Sequence, residues 1–113
     1  MGYDDIRAAL GHSFSVASLN IMTKLGHDLL GADAPLRHPA AAYTLATTAQ
    51  NIAWYWDGAP LPEDAVAAVE AHLRPKMLAV LDAAESEAQT LLSALDDLAR
   101  AYTDAIPFLR QSP

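Results

Sequence analysis

Apolar positions recur at alternating steps of four and three along one stretch: Met77, Leu81, Ala84, Ala88, Leu91, Leu95, Leu98, Tyr102 and Ala105. That count places a single narrow stripe on one face of a helix from Pro75 to Ile106. Unbroken, such a helix is about 48 Å long at 1.5 Å per residue, and its seam has to be buried against another helix. Asp82, Glu85, Glu87, Asp96, Asp97, Arg100 and Asp104 fall outside the seam, and Pro107 is the expected stop.

Three further segments show helical spacing. Ile6, Leu10, Phe14, Ala17, Ile21, Leu25 and Leu29 predict a helix from Asp4 to Leu30, with Gly31 as its end. Gly11 and Gly26 lie inside it, where they weaken a helix but permit close approach of a neighbour. A loop follows to His38, the expected cap, with Pro39 as first helical residue. Ala42, Leu45, Ala49, Ile52 and Trp56 then predict a second helix, ended by Asp57-Gly58. A third starts at Pro62 and buries Ala65, Val66, Val69 and Leu73. Pro75 disfavours helical geometry at Arg74, so the chain either turns there or continues as one kinked helix of about 45 residues. The kinked helix is preferred, because no Gly, Asn, Asp or Ser near Arg74 supplies turn chemistry.

The expected fold is therefore all-α: an antiparallel four-helix bundle whose third and fourth segments join at Pro75. At 113 residues it forms one domain, residues 1–113. Aromatic residues are only 7% against 52% apolar, so alanine and leucine fill the core, and the period-two clusters of a sheet are missing.

Charge changes the picture. No Asp, Glu, Lys or Arg lies between Arg7 and Lys24, or from His38 through Trp56. From Asp57 onward there are ten acids and four bases. A helix with one solvent face normally carries charge on it, so the first two helices read as covered by protein on more than one side. Thr44, Thr47, Thr48, Gln50 and Asn51 argue against a membrane hairpin. The formal charge of −7 disfavours nucleic acid and anionic lipid as partners. There is no cysteine, and the acidic start MGYDDIR has no signal-peptide pattern, so a cytoplasmic location is expected.

Trp54, Tyr55 and Trp56 are consecutive and fan around the end of the second helix, so they cannot all enter one core. Such rings anchor interfaces. The expected role is a non-catalytic protein–protein interaction module, a homodimer or a subunit binding another helical or basic protein, with Phe14, Ile21, Ile52, Trp54, Tyr55 and Trp56 at the interface. The alternative is a small-molecule- or metal-binding bundle with His27, His38, Trp54 and Trp56 lining the site. No phosphate loop, nucleophile motif or inward carboxylate pair is present, so no catalytic residue, cofactor or metal ligand is assigned.

Three short stretches resemble known families. Gly26-His27-Asp28-Leu29 resembles the phospho-acceptor box of histidine kinases and phosphotransferases, which implies His27 as acceptor, but Leu30 and Gly31 replace that box's next residues. Arg7 and His12 have the R-x4-H spacing of HEPN-type RNases. Trp56-Asp57-Gly58 resembles the W-x-G turn of the WXG100 secreted hairpins, although two helices precede it here. None extends beyond a few residues.

Overall fold

The structure, a computed structural model, describes residues 3–31, 39–57, 62–84 and 86–109. Among these residues the chain is all-helical, with five helices and no strand: α1 (Tyr3–Leu10), α2 (Val16–Leu30), α3 (Pro39–Trp56), α4 (Glu63–Ala83) and α5 (Ala88–Leu109). The molecule measures 44 × 25 × 18 Å along its principal axes.

The expected first helix, Asp4 to Leu30, is two helices. Gly11 and His12 close α1 with N–H bonds to the carbonyls of Ala8 and Ala9, at 3.1 and 3.2 Å. Ser15 then opens α2 with extended backbone (φ −152°, ψ 166°). Its hydroxyl accepts from the Ser18 N–H at 3.1 Å, and the Ser18 hydroxyl accepts from the Ser15 N–H at 2.8 Å. This reciprocal pair satisfies two donors that a helix start leaves open. Gly31 ends α2, its N–H reaching the His27 carbonyl at 3.0 Å.

The long helix from Pro75 to Ile106 is not formed, and neither is the 45-residue kinked one. Helix α4 runs through Pro75 without interruption and ends at Ala83. Beyond it the Ser86 N–H bonds to the Ala83 carbonyl at 2.9 Å, and α5 starts at Ala88 and packs back along α4. The seam explains why. Met77, Leu81 and Ala84 on one side of the break, and Leu91, Leu98 and Ala105 on the other, are all buried. A stripe that must be covered by a helix is covered here by its own continuation, folded back. Pro107 does not stop α5, which continues to a buried Leu109.

Two helix pairs make the body, α2 with α3 and α4 with α5. Both are antiparallel. Gly26 meets Ala42 and Ala46 near one end of the first pair, and Val16 and Asn20 lie beside Gln50, Ala53 and Trp54 near the other. In the second pair, Ala79 and Ala83 lie beside Thr90 and Ala94, and Ala71 and His72 beside Ala101 and Asp104. Leu10, Leu19, Met22, Leu45, Ile52, Leu73, Met77 and Leu98 are fully buried and join the pairs into one core. A Cβ on Gly26 would lie 2.6 Å from that of Ala46, so glycine sets the spacing of α2 and α3.

Helix α1 lies against α2 and α4. Arg7 pairs with Asp82 across α1 and α4. No helix among the described residues is long and apolar enough to cross a membrane.

Candidate functional site

Helix α3 is the element that carries no charge, and the fold covers only part of it. Ala42, Leu45, Ala49, Ile52 and Trp56 face the core as their spacing requires. On the other side a second seam emerges: Ala40, Tyr43, Thr47, Gln50 and Trp54, at steps of three and four, with Asp57 three residues further on. Of these, only Thr47 is half-buried, and the rest are exposed. Trp54 is 72% exposed and Tyr43 60%. The described residues therefore do not wall in α3 on several sides.

The consecutive rings separate as a helix requires. Trp56 is 4% exposed, Trp54 points out, and Tyr55 is half-buried between them. The Trp54 and Tyr55 rings meet edge to face, with centroids 5.2 Å apart and planes at 66°. Beside Trp54 a shallow groove of about 190 Å³ runs between α2 and α3, lined by Val16, Asn20, Gln50, Ala53, Trp54 and Asp57. Covering Trp54 would withdraw roughly 150 Å² from water, equivalent to about 4 kcal/mol of transfer free energy before any cost of association.

The expected interface residues do not come together. Phe14, Ile52 and Trp56 belong to the chain's own core and are not available to a partner. Ile21 is 56% exposed, but it sits about 100° around α2 from Asn20, on another flank from the groove. Trp54, with Tyr55 at its edge, remains. Tyr43, Thr47 and Gln50 were not expected there. The count that exposes them is the three-four step begun at Ala40 instead of Ala42.

The histidine-centred alternative has no assembled site among the described residues. His27 is exposed near the end of α2, and His38 lies outside the described residues. Trp54 and Trp56 face opposite ways and cannot line one pocket. No group of three or more His, Asp or Glu side chains converges as a metal site would need, among the described residues. The His12 backbone carbonyl accepts from Arg74 at 2.6 Å, and the Arg7 side chain is engaged by Asp82. Gly58 of the W-x-G turn lies outside the described residues.

Neither a known protein family, nor a curated protein, nor a solved structure matches this chain.

Proposed function

We propose that this chain is a non-catalytic helical interaction module that binds a protein partner through the outer face of α3. The observation that carries this reading is Trp54, a large ring left 72% exposed on a face with no Asp, Glu, Lys, Arg or His from Pro39 through Trp56. A large exposed aromatic ring flanked by uncharged polar side chains is the composition of an interface centre, where charge is depleted and Trp and Tyr are enriched. In this reading α2 to α5 act as an antiparallel four-helix bundle that holds the face rigid, and Pro75 kinks α4 around the core. The exposed acids of α4 and α5, Glu63, Asp64, Asp82, Asp96, Asp97 and Asp104, give those helices a solvated, charged surface.

A photo-crosslinking side chain placed at Gln50 tests the reading in the cell of origin. We expect a discrete crosslinked protein species from Gln50 and none from the same probe at Asp97, on that charged surface. Absence of any species from Gln50 would overturn the proposal.

A further inference from the structure

The exposed seam of α3 reads the same from either end. Ala40, Tyr43, Thr47, Gln50, Trp54 and Asp57 follow one another at steps of three, four, three, four and three. Laid antiparallel, two copies of α3 therefore match seam to seam. Ala40 falls opposite Asp57, Tyr43 opposite Trp54, and Thr47 opposite Gln50. Each of these pairs occurs twice, as a two-fold interface demands.

Building on the interaction-module reading, we infer that the occupant of this face is a second copy of this chain, its α3 antiparallel to the first. Charge permits that occupant on this face. The chain carries −7, so two copies repel each other over most of their surface. The stretch from Pro39 through Trp56 has no formal charge, and there two copies can close without that repulsion.

The helix ends select the direction. The first turn of α3 holds no acid and its last turn no base. Asp57, exposed, stands just past the C-terminal end, where its carboxylate faces the negative pole of its own helix. In the antiparallel pair it moves beside Ala40 of the second copy, at the positive pole of that helix. The N-terminal end of each helix thereby gains a carboxylate that its own first turn does not supply. A parallel pair would instead bring the two Asp57 carboxylates together.

The side chains agree with that direction. Tyr43 and Trp54 are the two rings on the seam, about 16 Å apart along the axis. Antiparallel packing stacks a tyrosine on a tryptophan at each end. Between them the Thr47 hydroxyl meets the Gln50 amide, a donor–acceptor pair that needs no charge.

The chain has no cysteine, so introduced thiols report without background. Sedimentation equilibrium on the full chain should give twice the 12.1 kDa chain mass, and Trp54→Glu should return it to monomer with its helical circular dichroism intact. Under mild oxidation, a mixture of Thr47→Cys and Gln50→Cys chains carrying tags of different size should form the mixed disulfide in preference to either self-pair. Preference for the self-pairs would overturn the antiparallel register. A monomer from micromolar to submillimolar concentration would overturn the second copy as occupant. If Gln50 then still crosslinks to a different protein, the interaction-module reading stands and the self-pairing does not.

Discussion

The guanidinium carbon of Arg74 lies 5.1 Å from the centroid of the Phe14 ring, 60 residues away along the chain. Around that contact α4 holds the turn between α1 and α2. The Glu70 carboxylate accepts the Phe14 N–H at 2.5 Å and faces Arg74 at 3.3 Å, while Arg74 donates to the His12 carbonyl at 2.6 Å. The ion pair is largely sheltered, with side chains 28% and 18% exposed, which distinguishes it from the open Arg100–Asp96 pair. The group satisfies backbone atoms that the break in the first helix leaves without a helical partner.

Removing one member should therefore loosen the turn. Glu70→Ala leaves the Phe14 N–H without its acceptor and the Arg74 guanidinium without its counter-charge, and should cost about 2 kcal/mol. Glu70→Gln keeps an acceptor oxygen and should cost about half as much. Urea unfolding of both variants checks the ordering, and equal losses would mean that the Phe14 N–H bond contributes nothing.

Gly26→Ala should destabilise although alanine is the better helix former. The added methyl meets the Ala46 Cβ at 2.6 Å and the Ala42 carbonyl at 3.2 Å, so α2 and α3 must separate. Overpacking of about 1–3 kcal/mol exceeds the propensity gain of about 1 kcal/mol. A rise in the urea midpoint would show that the helices separate without loss.

Neighbouring tryptophans should behave oppositely. Trp56→Ala opens a cavity in the core and should cost about 3–5 kcal/mol. Trp54→Ala, on the exposed face, should change monomer stability by less than about 0.5 kcal/mol while weakening association. Chemical unfolding at low protein concentration, paired with sedimentation, separates the two effects.

Ser15→Ala removes the hydroxyl that accepts the Ser18 N–H at the start of α2. The expected loss is about 1 kcal/mol. Ser13→Ala should cost less, because its exposed side chain does not cap the helix. Thermal unfolding of the pair checks this, and equal effects would place the cap elsewhere.

The chain's residues alone determined that the protein is helical and where most of its apolar faces lie, because three-four spacing is a local property of a helix. Leu45, Ile52 and Trp56 on α3, and Leu91 and Leu98 on α5, are buried where that spacing put them. The bounds of α3 and the end of α2 at Gly31 were likewise legible from Pro39, Asp57 and the glycine.

Spacing could not reveal the breaks. The period of apolar residues runs on through residues 84–87, because a stripe folded back on itself keeps the same count as a straight one. Near the N-terminus the apolar count bridges Gly11 to Ser15, although the serine pair at 15 and 18 is a capping signal in plain view. Pro75, which local rules make a boundary, lies inside α4, where packing of Leu73 and Met77 on the core outweighs one lost backbone bond. The absence of charge on α3 was plain from the residues, but which side of it stays open was settled only by packing. The core claimed Ile52 and Trp56, and Tyr43 and Trp54 were left facing outward because one helix cannot turn both seams toward the same neighbours.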